Sequence, residues 1–112
     1  MTNAIAQRIS AICEKGNLKH KDIAMLLNTN PETVSRWNQG RNSPQPNAEQ
    51  TLLILEFIID QLSSLYAPNE ARLWVFSPQK MLGGDSPAEL IKEGDIKKVR
   101  SFVNQLVDSI YI

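Results

Sequence analysis

The chain has 112 residues, 42% hydrophobic and 21% charged, which is the balance of one folded domain or two small modules sharing a core, not of a disordered tail. Twelve Lys and Arg offset twelve Asp and Glu, so no global positive field draws the molecule to nucleic acid. One cysteine, Cys13, and one histidine, His20, exclude an internal disulfide, a zinc set and a nucleophile–base–orienter set, so neither an enzyme nor a metal or cofactor is expected.

No run reads as a strand, and no repeat or low-complexity segment is present. The pattern predicts an all-α protein of seven or eight helices, several very short. Residues 2–15 place Ile5, Ile9, Ile12 and Cys13 at helical spacing, with Gly16-Asn17 as the stop. Residues 19–27 put Ile23, Ala24, Leu26 and Leu27 on one side. A tight turn, Asn28-Thr29-Asn30, follows, with Asn30 as N-cap and Pro31 at the first helical position of the next helix. That helix buries Val34 and Trp37, leaves Glu32, Thr33, Ser35 and Arg36 outward, and stops at Gly40. The loop GRNSPQP, stiffened by two prolines, is the candidate module seam.

Residues 48–66, AEQTLLILEFIIDQLSSLY, are the centre of the design, and Asn47 and Gln50 read as a capping box at their start. Leu52, Leu55, Ile59, Leu62 and Tyr66 form one apolar face, and Leu53, Ile54, Phe57, Ile58 and Leu65 cover most of the rest. A helix apolar over that much of its circumference is expected to be buried on more than one side, with earlier chain on one face and later chain on the other. Glu56, Asp60 and Gln61 interrupt it too soon for the roughly 20 apolar residues of a membrane span. No basic segment followed by an apolar run opens the chain, so a cytoplasmic protein is expected.

Beyond it, Pro68 opens a short helix whose buried groups are expected to be Leu73, Trp74 and Phe76. Ser77-Pro78 leads into a turn ending at Met81-Leu82. Ser86-Pro87-Ala88-Glu89 combines an N-cap, a first-turn Pro and a capping-box Glu. Gly94 ends that helix, and residues 95–109 form the last, with Ile96, Val99, Val103, Leu106 and Ile110 on its apolar side. The three modules so outlined are residues 1–46, 47–66 and 67–112.

Two stretches carry functional information. In LKHKDIAMLLNTNPETVSRWNQG, two short helices joined by a tight turn, with small Ala24 at their crossing and polar groups on the start of the second, meet the requirements of a helix-turn-helix. With Trp37, Gly40 and Pro44 following, it resembles the Xre-type helix-turn-helix family. Asn28 stands where that family usually has Gly, and tolerates the same left-handed backbone. Thr29 replaces a usual Val or Ile. DNA contact is expected to run through Asn30, Thr33 and Arg36 to base edges and through Lys19, Lys21 and Arg41 to phosphates. Such modules bind as dimers on half-sites about 34 Å apart, so a homodimer or higher oligomer is expected on operator DNA.

The second stretch runs from residue 70 to the end. Trp74, Phe76, Pro78, Leu82, Pro87, Glu89, Leu90, Ile91 and Gly94, followed by an amphipathic helix and the apolar Ile110, Tyr111 and Ile112, resemble the toxin-binding domain of Xre/MbcA/ParS antitoxins. The resemblance implies a type II antitoxin whose partner is a RES-domain, NAD-consuming toxin, entered and blocked by the antitoxin's C-terminal end. It implies a toxin-facing set of Lys97, Arg100, Ser109, Ile110, Tyr111 and Ile112, and autoregulation of the operon through the helix-turn-helix. A stand-alone helix-turn-helix repressor, its C-terminal half serving dimerisation, is the alternative reading, separated from the first by whether a RES-domain gene lies beside this one.

Overall fold

The computed structural model describes residues 3–110, and these are all-α: seven helices and a 3-10 turn, with no strand. Helix α1 is Ala4–Gly16, α2 His20–Leu26, α3 Pro31–Asn38, α4 Pro46–Ser63, α5 Pro68–Phe76, α6 Pro87–Lys92 and α7 Ile96–Ile110; the 3-10 turn is Lys80–Leu82. Helix α4 packs against α1 on one side and α7 on the other, while α2 pairs with α3 and also meets α6. One continuous apolar core runs from Ile5, Ile9 and Ile12 through Leu52, Leu55, Ile58, Ile59 and Leu62 to Val99 and Val103.

Local signals account for most helix starts. The Asn3 side chain accepts from the Ile5 N–H and opens α1. Asn30 caps α3 by accepting from the Thr33 N–H at 2.9 Å. At α6 the Ser86 hydroxyl accepts from the Glu89 N–H at 3.1 Å while the Glu89 carboxylate accepts from the Ser86 N–H at 3.3 Å, the reciprocal cap expected there.

Four expectations, all in α4 and α5, are corrected, and the Gly16-Asn17 stop of α1 stands. The central helix starts at Pro46 behind Gln45, not at an Asn47–Gln50 capping box; Pro at the first position needs no N–H partner and starts the helix sooner. It ends at Ser63, and Leu65 and Tyr66 lie past it in a turn tightened onto the Leu62 carbonyl. Its burial is also less complete than its apolarity suggests: Leu53 is 46% and Phe57 43% exposed, so α1, α7 and α5 pack on α4 without covering that side. In α5, a helix that meets α1, α6 and α4, Ala71 and Val75 are buried and Leu73 is 68% exposed. At the end of α1, the left-handed residue is Asn17, at φ 52°, and Gly16 is the last helical residue. A Cβ at Gly16 would stand 2.9 Å from Cδ1 of Ile59, so the glycine lets the end of α1 lie close on α4.

Candidate functional site

The helix pair α2–α3 is built as its sequence requires. Asn28 takes the left-handed conformation, at φ 57°, that turns α2 into α3. Ile23, Ala24, Val34 and Trp37 are buried between the helices and the core. Lys19, Lys21, Asn30, Arg36 and Arg41 are exposed and Thr33 is half-buried. Asn30 and Thr33 are not free polar groups: Oδ1 of Asn30 accepts from both the N–H and the hydroxyl of Thr33, at 2.9 Å each. That leaves the Asn30 amide nitrogen to meet another molecule. Arg36, one turn further on, has no partner among the described residues. Its backbone carbonyl accepts from the Arg41 N–H, which draws the loop after α3 back toward it.

The second half is closed by local devices. The Gln79 side chain donates to the Trp74 and Ser77 carbonyls and folds the segment after α5 back onto that helix. Trp74 stacks on Phe102 of α7 with ring centroids 5.9 Å apart. Ser109 and Ile110 are exposed at the end of α7, Ile110 at 55%, while Tyr111 and Ile112 lie outside the described residues. Lys97 and Arg100 do not join Ser109 and Ile110 in one site. Arg100 lines an apolar groove with Ala11, Leu53, Ile54 and Phe57, whose rim carries Lys15, Glu56 and Asp60. Lys97 lines a polar cleft on the other side of Ile54, with Asn28, Asn47, Gln50 and Thr51.

What sequence reasoning missed is the seam between the halves. Asp22 is buried and accepts from Arg72 through both carboxylate oxygens, at 2.5 and 3.3 Å, and from the Lys19 N–H at 2.8 Å. Burial pushes the Asp22 carboxyl up, but the hydrogen bonds from Arg72 and Lys19 outweigh it and hold it below the usual carboxylate range. Arg72 also donates to the Asn17 carbonyl at 3.2 Å and lies over the Phe76 ring, 5.0 Å from its centroid. Alongside, the Asn17 amide donates to Asn69 at 2.6 Å and the Asn28 amide to the Lys92 carbonyl at 2.9 Å. Helix α2 is therefore held at both ends by residues of the second half. A capping partner for Lys19 three residues on was legible at Asp22; its pairing with a cation 50 residues away was not. Cys13 is half-buried against the core, and burial raises its thiol pKa, which leaves a packing residue and not a nucleophile. Among the described residues no group of His, Cys, Asp and Glu could hold a metal ion, and no helix is long and apolar enough to cross a membrane.

Comparison with known proteins gives this geometry its context. Residues 65–107 match the model of the antitoxin Xre/MbcA/ParS C-terminal toxin-binding domain. The mycobacterial cidal antitoxins MbcA of Mycobacterium bovis and of Mycobacterium tuberculosis are each 26% identical to the chain over 110 residues, 98% of this chain and 97% of theirs. The fold superposes on a chain of the crystal structure of the M. tuberculosis MbcT–MbcA toxin–antitoxin complex with a TM-score of 0.83, at 25% identity, covering 98% of this chain and 99% of that one. These are antitoxins and not enzymes. The chain carries an Xre/MbcA/ParS toxin-binding domain and is homologous over its full length to the MbcA antitoxins.

Proposed function

We propose that this protein is the antitoxin of a type II toxin–antitoxin pair, binding and blocking a RES-domain, NAD-consuming toxin in the cytoplasm. The observation that carries the reading is the end-to-end likeness to a chain of a toxin–antitoxin complex, which spans both the helix pair α2–α3 and the matched domain. Within that reading the chain divides at residues 1–46, 47–66 and 67–112 into a helix-turn-helix module, the shared helix α4 and a toxin-binding module. Residues 109–112 extend from α7 into the toxin's cleft and obstruct the dinucleotide. An exposed Ile110 at the end of an amphipathic helix supports this, because its apolar area is in water until a partner covers it.

The helix pair α2–α3 represses the operon, with Arg36 and the free amide of Asn30 reading base edges, Thr33 fixing that cap, and Lys19, Lys21 and Arg41 on phosphates. The active form is at least a homodimer. A second copy seats on the groove that exposes Leu53 and Phe57, where Lys15–Asp60 and Arg8–Glu56 are paired within the chain and Arg100 is left to meet the partner. Co-expression with a RES-domain toxin from the neighbouring reading frame tests the reading. A co-eluting complex in which NAD consumption is suppressed is expected. Operator binding with no effect on the toxin would instead favour a stand-alone repressor.

A further inference from the structure

The Asn28–Lys92 hydrogen bond sets the end of α6 against the turn before α3, two residues from the cap of that helix. The chain then turns through Gly94 and Asp95 into α7 beside the first turns of α4. The three segments enclose an open cleft of about 560 Å3, whose polar lining is Asn28, Asn47, Gln50, Thr51, Asp95 and Lys97. The Thr51 hydroxyl is committed to the Asn47 carbonyl and the Asn28 amide to Lys92. The side-chain amides of Asn47 and Gln50 and the Lys97 ammonium have no partner among the described residues, and Asp95 forms no ion pair with Lys97. The first turn of α4 separates this cleft from a groove on the α3 side, which Thr33, Gln45 and Ala48 help to line. The cleft is bordered by Asn28, in the turn that leads into α3.

We propose that this cleft holds a backbone phosphate of the operator, with Lys97 supplying the charge and the Asn47 and Gln50 amides the neutral donors. The inference rests on the reading that α3 meets operator DNA, and it moves Lys97 from the toxin to the DNA. A lysine ammonium is a compact point charge suited to a phosphate oxygen without regard to sequence. Two neutral amides beside it add directional donors, and the Asp95 carboxylate in the same lining offsets part of the lysine's charge. In a chain with no net charge, a cation positioned by a fold contact to the recognition turn does what a general positive field does elsewhere. The matched toxin-binding domain would thereby contribute to the DNA face.

The test is binding of the full chain to a duplex of its own promoter between about 50 and 200 mM salt. Lys97→Gln is expected to lower the slope of log affinity against log salt by about 0.9, one phosphate's worth, and to weaken binding severalfold at physiological salt. Lys98→Gln, off the cleft, leaves the slope as it is, and both variants inhibit the toxin fully. An unchanged slope for Lys97→Gln beside a reduced one for Lys21→Gln overturns the cleft site while sparing the α2–α3 reading. A loss of toxin inhibition by Lys97→Gln with an unchanged slope overturns it in favour of the toxin face. A wild-type chain with no salt-dependent promoter binding overturns both this inference and the reading beneath it.

Discussion

Two of the places where the halves of the chain meet are built on opposite plans. Helix α1 meets α4 through close apolar contact, Gly16 against Ile59, with the ion pairs Arg8–Glu56 at 3.5 Å and Lys15–Asp60 at 2.6 Å on the rim. Helix α2 meets the second half through an ion pair at the centre, Asp22 with Arg72, and amide bonds around it. The same charge chemistry has a different consequence in each place. At Lys15–Asp60 the side chains are about half in water, and their attraction is screened and offset by ordering entropy. At the seam the Asp22 carboxylate is out of water, so losing its partner leaves a buried charge. Apolar contact suffices where backbones come close; the shorter helix α2 has less apolar area to offer and is fixed by direction and charge.

Breaking the seam should have the largest effect. Arg72→Ala strands the Asp22 carboxylate and should cost about 2–3 kcal/mol, below the full value for a buried pair because a third of the arginine side chain is in solvent. The measurement is the midpoint of urea unfolding. The pair also predicts an acid limb. Since the folded Asp22 ionises below its unfolded value, its contribution is complete above about pH 4 and is lost as pH falls through the lower folded value. Wild type should lose stability over that window more steeply than Asp22→Asn does.

Next comes the apolar contact. Gly16→Ala places a Cβ 2.9 Å from Cδ1 and 3.1 Å from Cγ2 of the buried Ile59, and should cost about 1 kcal/mol after the gain in helix propensity is counted. A stabilised Gly16→Ala chain would show that Ile59 yields freely and that the close approach is not what fixes α1 on α4. The smallest effect is expected on the rim. Lys15→Ala should leave the melting temperature where it is, and a loss comparable to that of Arg72→Ala would erase the contrast between the two interfaces.

Local chemistry makes much of this molecule legible in its sequence. The caps at Asn30 and Ser86, the spacing of Ile5, Ile9 and Ile12, and the left-handed Asn28 all depend on residues within a turn of one another. The α2–α3 pair and the matched domain are readable for the same reason. Helix α4 is harder to orient, because a segment apolar on nearly every side has no periodicity to say that Leu53 and Phe57 face out. Leu73 misleads in the opposite way: the buried face of α5 carries Ala71 and Val75, and the large apolar Leu73 is left in solvent. The Asp22–Arg72 seam and the division of Lys97 and Arg100 between two clefts depend on tertiary placement and have no signature in spacing.

The central claim is that this chain silences an NAD-consuming toxin with residues 109–112, the end of α7 and the two residues beyond it. The most direct measurement is NAD consumption by the RES-domain toxin with the intact chain and with a chain lacking residues 109–112, beside a thermal melt and a co-elution of each. Equal melts and a retained complex are predicted, with inhibition lost in the shortened chain. A shortened chain that melts normally, stays in the complex and inhibits as well as the intact one would contradict the claim.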